Sequence, residues 1–498
     1  MSVLSNIGKS KSYFIQALIV VVFLVYIIRL LYLQVINGDY KELAADRAFR
    51  KVTIYPDRGP MYDRNGKLIV YNQPNYDIMV ITQQIKNLDT LSFCELVGIN
   101  KETFIKTIKN LKQKQGYASY LPSVFISNLS GEEVGRIEEL LYQYPGFFTQ
   151  IRSVRKYNYP AAAQLLGYVT EVDSNDIKNN EGYYKSGDYI GKSGVEKSYE
   201  ELLRGDNGYK YMVVDAYNRV VGSLGKGDND KKSIAGKQLT LTVDIELQYY
   251  AEQLMQNKRG ALVAIEPSTG EILCLVSSPT YDPNLLTGSQ RTKNYGKLVM
   301  DPQRPLNNRA LSGYYPPGST FKPVLAAIGM QAGTLSADQG YSCPGGYVMS
   351  GHTVNCHGHP YAGSVILGIG NSCNAYFCHV FKHFMEDAHA KPSEGLTDFK
   401  SELALFGIGV RTGVDLPNER AGNVPDPEDY DKIYGAGRWR ASSCVTLGIG
   451  QDQLILTPLQ VANAMSTIAN SGYFYTPHIL KNAEGADSLL QTFKIKSL

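Results

Sequence analysis

The chain has 498 residues, of which 43% are hydrophobic and 19% are charged. At about 100–200 residues per domain, this length predicts two or three domains with buried cores, and the composition excludes a mainly disordered chain. The 50 basic residues nearly balance the 47 acidic ones, which leaves a formal charge of +3. Because nucleic-acid binding relies on an excess of positive charge, the composition argues against a nucleic-acid partner.

An apolar run near the N-terminus predicts a membrane anchor. Residues 13–33 read YFIQALIVVVFLVYIIRLLYL and contain only two polar side chains, Gln16 and Arg29. As a helix that rises about 1.5 Å per residue, the run is about 31 Å long, which is enough to cross a bilayer. The following LLYLQVINGDY offers no small-x-small site, so an uncleaved anchor is expected rather than a signal peptide. These features predict a cytoplasmic tail over 1–12, an anchor over 13–36 and a single-pass protein with nearly all its mass outside the cytoplasm.

The chain beyond the anchor divides into two regions, which together predict a multidomain α+β fold. Residues 37–235 mix strand-like pieces and turns, with one amphipathic stretch at 130–143 that opens on a capping-box pattern. This mainly β region ends at the charged, glycine-containing GKGDNDKKS. Residues 236–498 begin with KQLTLTVDIELQYYAEQLMQ, which predicts a strand and a helix, and GALVAIEPSTGEILCLVSSP, which predicts a hairpin.

A candidate nucleophile lies in YYPPGSTFKP. Glycine and proline end a loop there, and the following residues predict a helix, so Ser319 lies near a helix N-terminus where developing negative charge is stabilised. Lys322 is three positions further on and shares a helix face with Ser319. A desolvated lysine with a lowered pKa can accept the serine proton. Two other Ser-x-x-Lys matches, Ser153–Lys156 and Ser223–Lys226, lack this loop-to-helix setting.

A second polar triplet, Ser372-Cys373-Asn374, follows between GSVILGIGNS and AYFCHVF. Ser372 can relay protons between Lys322 and a leaving group, and Asn374 can bind a substrate amide. Together with Ser-x-x-Lys, the triplet indicates serine acyl transfer.

Seven cysteines with irregular spacing exclude a dense disulfide framework. Cys343 and Cys356 allow a disulfide, a plain loop, or a zinc site completed by His357 or by its neighbours His352 and His359, since zinc prefers these ligands. The three alternatives stay open.

The paired motifs resemble the serine transpeptidase fold of penicillin-binding proteins and β-lactamases. Further segments narrow the resemblance to class B penicillin-binding proteins of the rod-elongation type. They are the stretches RGPMYDRNGKLIVYNQPNYDIMV, AAAQLLGYVTEV, GKSGVEKSYEELLRGDNG, Asn308-Arg309-Ala310, PPGSTFK, FGIGVRTGVDLPNE and LGIGQDQLILTPLQVANAMSTIANSG.

This resemblance implies an anchored pedestal (dimerisation-type) domain over 37–235 and an α/β penicillin-binding transpeptidase domain over 236–498. It implies a D,D-transpeptidase of cell-wall synthesis, in which Ser319 is the nucleophile, Lys322 the general base, Ser372 the proton relay and Asn374 the amide ligand. Expected partners are peptidoglycan stem peptides, β-lactams as inhibitors, and a SEDS-type glycan polymerase with other elongation-complex membrane proteins. No cofactor is expected.

The sequence departs from the family at the third motif, Lys-Thr/Ser-Gly, which binds the substrate carboxylate. No such triplet follows Asn374; Lys192-Ser193-Gly194 lies before Ser319, and Arg411-Thr412-Gly413 matches a different family segment. We therefore expect a truncated product with an incomplete catalytic sheet. The alternatives are a catalytically impaired membrane scaffold and, less favoured by the long pedestal, a β-lactam sensor.

Overall fold

The computed structural model describes residues 18–27, 29, 49–85, 88–113, 117–180, 183–185, 187–214, 220–223, 230–288, 290–349, 352–485, 493 and 495–497. The chain forms two compact units. One comprises Met1–Pro56 with Asp206–Ile234, and the other comprises Asp57–Gly205 with Ala235–Leu498.

The first unit contains an antiparallel sheet in the order β1-β8-β9. Its strands are β1 (Phe49–Ile54), β8 (Gly208–Val214) and β9 (Val220–Ser223). Residues 18–27 are helical, but most of the predicted anchor over 13–36 lies outside the described residues. Within the part of the chain that is described, no helix combines the length and the apolar character needed to span a bilayer.

The second unit is organised around a six-stranded mixed sheet in the order β16-β10-β2-β3-β4, with β5 also paired to β3. The central β10 runs parallel to β2 and antiparallel to β16. The strands are β2 (Met61–Tyr62), β3 (Leu68–Val80), β4 (Ser123–Leu129), β5 (Phe147–Tyr157), β10 (Leu239–Leu241) and β16 (Leu480–Ala483). Strands from before and after the predicted boundary at 235 therefore share one sheet.

Two-stranded sheets complete the β-structure of this unit. They are β6 (Val169–Glu171) with β7 (Tyr189–Gly191), β11 (Gly260–Ile265) with β12 (Ile272–Ser278), β13 (Gly346–Met349) with β14 (His352–Asn355), and β15 (Tyr473–Tyr475) with β17 (Ile495–Ser497).

The second unit also contains helices. Those of the earlier segment are α1 (Thr90–Val97), α2 (Lys101–Gln113), α3 (Gly131–Leu141), α4 (Ala163–Leu166), α5 (Ser174–Asn179), α6 (Gly194–Ser198) and α7 (Glu200–Leu203). Those of the later segment are α8 (Ile245–Leu254), α9 (Arg291–Met300), α10 (Arg309–Ser312), α11 (Lys322–Gln331), α12 (Val365–Gly370), α13 (Asn374–Asp387), α14 (Pro392–Leu405), α15 (Pro427–Tyr434) and α16 (Pro458–Ala469).

Local sequence signals explain several of these elements. The capping box predicted at the start of α3 is confirmed, since Ser130 and Glu133 exchange side-chain and backbone hydrogen bonds. The predicted strand and helix become β10 and α8, and the predicted hairpin becomes β11–β12. The earlier region, expected to be mainly β, also carries the helices α1 to α7, so the α+β description fits it better.

The buried helix α13 lies at the centre of the core that positions the candidate site. Its residues Phe377, Phe381 and Phe384 are at most 1% exposed, and they pack in one apolar cluster with Phe321 and Phe399. Burial of this much aromatic surface fixes the helix firmly, since each such side chain contributes about 1.5–3 kcal/mol. The N-terminus of α13, where Asn374 lies, is thereby held in place.

Candidate active site

Ser319 lies in the 3₁₀ turn Gly318–Phe321, which leads directly into α11. The predicted loop-to-helix setting is thus confirmed. Gly318 adopts φ +59°, a left-handed conformation that glycine reaches without the penalty of a side chain. The turn leaves the Ser319 side chain exposed, so a substrate can reach its hydroxyl.

The turn contacts the loop that contains Gly450. The Gly318 N–H donates to the Gly450 carbonyl at 2.8 Å, and a Cβ on Gly450 would lie only 2.3 Å from the Gly318 carbonyl oxygen. Only glycine fits at this position, which also has φ +71°.

Lys322 is 1% exposed at the first turn of α11. Its Nζ donates to the Ser372 carbonyl at 2.6 Å, to Ser372 Oγ at 3.1 Å and to Asn374 Oδ1 at 2.7 Å. Burial lowers the pKa of Lys322, and nearby cysteine thiols oppose this only in part. The lowered pKa increases the neutral fraction, which is the form that can accept a proton.

Ser372 connects the lysine to the candidate nucleophile. Its Oγ donates to Ser319 Oγ at 2.9 Å while accepting from Lys322 Nζ. Ser372 has φ +48°, which is uncommon for a residue other than glycine. Such conformations cluster at functional sites, where the surrounding structure holds them. The result is a continuous hydrogen-bonded path from Ser319 to Lys322.

Asn374 begins α13, with Cys373 as its N-cap. The Asn374 amide is held on both sides: Oδ1 accepts from Lys322, and Nδ2 donates to the Asn355 carbonyl of β14 at 2.9 Å. The four residues predicted for the site therefore lie together, joined by hydrogen bonds.

The two other Ser-x-x-Lys matches have different surroundings. Ser153 lies inside β5, where its Oγ donates to Asp57. Ser223 ends β9, and Lys226 lies outside the described residues. Ser153 therefore lies within a strand and Ser223 at the end of one, whereas Ser319 lies in a turn that leads into a helix.

The two triplets that resemble the third motif are engaged in other contacts. Lys192 forms ion pairs with Asp173 and Asp176. Thr412 donates through both its N–H and its Oγ1 to Glu419. These contacts engage Lys192 and Thr412 with residues other than Ser319.

A sulfur-rich cluster lies beside the site. The ligand atoms of Cys343, Cys356, His359 and Cys373 all lie within 4.8 Å of one another. Cys343 and Cys356 are free thiols, so the disulfide alternative is not realised in this structure.

Of the histidines considered with these cysteines, the structure brings His359 to the cluster, with Nε2 3.4 Å from Cys356 Sγ. His357 stacks edge-on against His359 and is not part of the cluster. Sequence reasoning missed Cys373, although it is the middle residue of the Ser-x-Asn triplet.

Hydrogen bonding activates one thiol of the cluster. Burial raises the pKa of Cys356, but hydrogen bonds from the Asn374 N–H, His359 and Cys343 outweigh it and lower the pKa to about 7. Burial raises the pKa of Cys373 to about 12. A thiolate at Cys356 beside buried sulfur and imidazole is chemistry suited to a soft divalent metal.

Comparison with known proteins identifies both regions of the chain. Residues 53–241 match the penicillin-binding protein dimerisation domain, and residues 260–497 match the penicillin-binding protein transpeptidase domain. Over 493 residues the chain is 32% identical to the peptidoglycan D,D-transpeptidase MrdA of Acinetobacter baumannii, covering 97% of this chain and 70% of that protein. The MrdA of Escherichia coli is 31% identical over 466 residues, covering 92% of this chain and 71% of that protein.

Solved structures agree with this assignment. Penicillin-binding protein 2 of Helicobacter pylori, in its complex with MreC, superposes with a TM-score of 0.73 at 28% identity, covering 87% of this chain and 79% of that one. Penicillin-binding protein 2 of Pseudomonas aeruginosa, in complex with WCK 5153, gives a TM-score of 0.61 at 27% identity. This match covers 88% of this chain and 74% of that one. The chain belongs to the class B penicillin-binding proteins of the MrdA group, and its function is that of a peptidoglycan D,D-transpeptidase in cell-wall elongation.

Proposed function

We propose that transpeptidation by this chain proceeds through an acyl-enzyme on Ser319, with Lys322 as general base and Ser372 as proton relay. The observation that carries this proposal is the hydrogen-bonded path from Ser319 Oγ through Ser372 Oγ to Lys322 Nζ. Lys322 supports the role because burial lowers its pKa towards the working range of a base.

In the first half-reaction, Ser319 Oγ attacks the carbonyl carbon of the penultimate D-Ala of a stem peptide. Its proton moves through Ser372 to neutral Lys322, and the Ser319 N–H stabilises the oxyanion. The C–N bond then breaks, and the proton returns along the same path to the departing amine of the terminal D-Ala. In the second half-reaction, an amine of a neighbouring stem peptide attacks the ester carbonyl carbon and loses its proton to the same base. The bond between the acyl carbon and Ser319 Oγ then breaks, and Ser319 Oγ regains the proton through Ser372.

Asn374 is the proposed ligand of the substrate amide. Its carboxamide is already oriented between Lys322 and the Asn355 carbonyl, which supports a pre-organised binding role. A β-lactam, which mimics D-Ala-D-Ala, acylates the same serine in this scheme.

The test is labelling by a fluorescent penicillin, measured in a chimera that carries the third-motif strand of a related transpeptidase. Ser319→Ala should abolish labelling, because it removes the attacking oxygen. Ser153→Ala and Ser223→Ala are matched controls from the other Ser-x-x-Lys sequences and should label as the unmodified chimera does. Label that persists in Ser319→Ala overturns the assignment.

We also propose that the Cys343–Cys356–His359–Cys373 cluster holds Zn²⁺. The support is the convergence of four ligand atoms of the types that zinc prefers. Protein purified in the presence of zinc should contain about one metal per chain by elemental analysis, as one four-ligand site predicts. His359→Ala should lose it, while His357→Ala, the matched control, should retain it. Equal loss in the two variants contradicts the proposed ligand set.

We further propose that residues 13–36 anchor the chain once in the plasma or inner membrane, with the transpeptidase region outside the cytoplasm. The 21-residue run from Tyr13 to Leu33 supports this topology. Protease added to spheroplasts should digest the chain beyond about residue 40, where the anchor would leave the bilayer. A protected Ser319 region, or a mature N-terminus near Asn37, contradicts the topology.

A SEDS-type glycan polymerase and other elongation-complex membrane proteins are the proposed partners. The complex of Helicobacter pylori penicillin-binding protein 2 with MreC supports a partner other than the polymerase. Affinity purification from membranes should recover a polymerase of this type with the chain, and should recover less when residues 1–36 are replaced by an unrelated anchor. Equal recovery with the unrelated anchor would exclude the native anchor as the contact.

A further inference from the structure

The cysteines of the chain differ in their exposure to solvent. All seven lie in described parts of the chain and are free thiols. Two of them, Cys343 and Cys356, are partly exposed. The others are buried, and they are Cys94, Cys274, Cys373, Cys378 and Cys444. Because oxidation of a thiol requires access to its sulfur, an oxidant reaches Cys343 and Cys356 before the buried cysteines.

The fold brings these two exposed cysteines together. Cys343 precedes β13 and Cys356 follows β14, and the two strands pair in antiparallel fashion. The Cys356 N–H donates to the carbonyl of Gly345 at 2.9 Å, so the hairpin is closed beside Cys343. The two sulfur atoms lie within 4.8 Å of each other. Cysteines with neighbouring sulfur atoms on paired chain segments are placed to form a disulfide.

Cys356 also contacts a residue of the candidate active site. Its Sγ accepts a hydrogen bond from the Asn374 N–H at 3.3 Å. The carbonyl of the preceding residue, Asn355, accepts from Asn374 Nδ2 at 2.9 Å. Two consecutive residues of the hairpin therefore hold the backbone and the carboxamide of Asn374, whose Oδ1 accepts from Lys322.

A disulfide between Cys343 and Cys356 would alter these hydrogen bonds. An S–S bond is about 2.05 Å long, which is shorter than any contact between sulfur atoms that are not bonded. One or both sulfur atoms must therefore move when the bond forms. Movement of Cys356 Sγ changes its distance from the Asn374 N–H, and the adjoining Asn355 carbonyl is on the same strand end. A misplacement of about 1 Å in an active site costs about 10² in rate.

Zinc and oxidation compete for the same sulfur atoms. Zinc binds cysteine as a thiolate, and neither sulfur of a disulfide is available in that form. Zinc bound at the cluster proposed above would therefore protect Cys343 and Cys356, and its loss would leave both open to oxidation.

We propose that Cys343 and Cys356 form a reversible disulfide switch that weakens the hold on Asn374 and slows acylation of Ser319. The oxidant is an external disulfide. One cysteine attacks a sulfur of that disulfide and releases its first thiol, and the second cysteine then displaces the other thiol. The two cysteines lose two electrons and two protons, which the external disulfide gains. The inference rests on the roles proposed above for Asn374 and for zinc.

The first test detects the disulfide in the purified 498-residue chain in detergent. Zinc-free protein is treated with oxidised glutathione, free thiols are alkylated, and the linked peptides are identified by mass spectrometry. We expect a Cys343–Cys356 linkage that dithiothreitol reverses. Excess Zn²⁺ should slow its formation at least about tenfold, because the metal-bound form is withdrawn from the reaction. Free thiols at both positions, a linkage of Cys356 to Cys373 instead, or equal rates with and without Zn²⁺ overturn the inference.

The second test measures penicillin labelling in the chimera that carries the third-motif strand of a related transpeptidase. Each protein is compared with itself before and after oxidation, so differences in basal rate do not affect the result. Oxidation should slow labelling at least about tenfold, and dithiothreitol should restore it. Cys343→Ala and Cys343→Ser both remove the partner thiol and should lose this response. Cys94→Ala, which removes a buried thiol outside the cluster, is the matched control and should keep it.

A labelling rate that oxidation leaves unchanged overturns the switch, as does a response that persists in both Cys343 variants. Asn374→Ala in the same chimera then shows which step is wrong. If Asn374→Ala labels slowly, the role of Asn374 stands and the failure lies in the thiol pair. If it labels like the unmodified chimera, the failure lies in the role proposed for Asn374.

Discussion

At the scale of single residues, Lys322 carries the strongest prediction about chemistry. Because burial lowers its pKa, its neutral form becomes populated below the ordinary value of about 10.4. A base acts only when neutral, so the acylation rate should rise with pH and level off above the lowered pKa. Lys322→Ala should lose a factor of about 10² or more and should lose this pH-dependent rise.

The control for this pH profile must separate the lysine from the thiols near it, which are those of Cys356, Cys373 and Cys378. Cys356 has a pKa of about 7, whereas burial raises those of Cys373 and Cys378 to about 12. Cys356→Ser should therefore keep the rise that Lys322→Ala removes. A rise that disappears in Cys356→Ser and persists in Lys322→Ala would assign the titration to the thiol. Rates of β-lactam acylation from pH-jump labelling provide the measurement.

At the scale of elements, the contact of the Gly450 loop with the nucleophile turn gives a matched pair of substitutions. Gly450 and Gly437 have nearly the same φ, +71° and +69°, so Gly→Ala pays similar backbone strain at each. Only at Gly450 would the new Cβ meet another backbone, that of Gly318, whereas nothing lies within 4 Å at Gly437.

We expect Gly450→Ala to displace the turn that carries Ser319 and to lower the acylation rate by about 10²-fold, the cost of a misplacement of about 1 Å. Gly437→Ala should change stability slightly and the acylation rate little. Second-order rate constants for penicillin labelling test both variants. Similar rates for the two variants would show that the Gly318–Gly450 contact does not position the nucleophile.

Elements set by local signals could be predicted from sequence, and those set by long-range pairing could not. The turn before α11, the capping box of α3 and the hairpin β11–β12 follow from residues a few positions apart. The place of β10 between β2 and β16 depends on partners about 180 and 240 residues away, which no periodicity reveals.

The same distinction applies to the candidate site. Spacing predicted Ser319 and Lys322, the second triplet added Ser372 and Asn374, and the structure brings the four side chains together. The ligand set proposed for zinc needed three-dimensional information, because Cys373 reaches Cys343 only after α13 is packed beside β13 and β14. The choice of His359 over His357 likewise depends on the path of one loop.

At the scale of the whole molecule, a buried contact joins the earlier and later segments of the second unit. The Tyr199 hydroxyl donates to Asp415, whose carboxylate also accepts from the N–H groups of Ile479 and Leu480. Burial of this carboxylate raises the pKa of Asp415. Tyr199→Phe should lower the free energy of unfolding by about 1–3 kcal/mol, since a buried charge loses a donor.

The loss of unfolding free energy in Tyr199→Phe depends on pH, because it arises at the Asp415 carboxylate. Tyr199→Phe removes a bond to the charged carboxylate, so it raises the folded-state pKa of Asp415 further above the unfolded value. The cost is then fully present at pH values above that folded-state pKa and shrinks as the pH falls through it. Urea unfolding at several pH values tests this, with Tyr249→Phe on the exposed face of α8 as the control. A cost that is independent of pH would contradict the role of the charge.

The third motif gives a prediction for a polypeptide that consists of residues 1–498 alone. A polypeptide of these residues alone has no Lys-Thr/Ser-Gly after Asn374. The family resemblance implies that the strand with this motif supplies a second oxyanion donor beside the Ser319 N–H. Loss of one such donor costs about 10²–10³ in rate. A chimera with a relative's third-motif strand should therefore acylate faster by at least this factor. Rates within about tenfold of each other would show that the motif is dispensable here.

The pairing of β10 with β2 has a mechanical consequence. Peptide hydrogen bonds tie β10 to β2 and β16, so these strands cannot slide along one another unless several bonds break together. Tension applied to the segment that enters the sheet at β2 therefore acts as a shear force on residues 239–241 and 480–483. A flexible linker in the same place would extend instead. A pull on one end of this sheet displaces the frame from which α8 and the β11–β12 hairpin start.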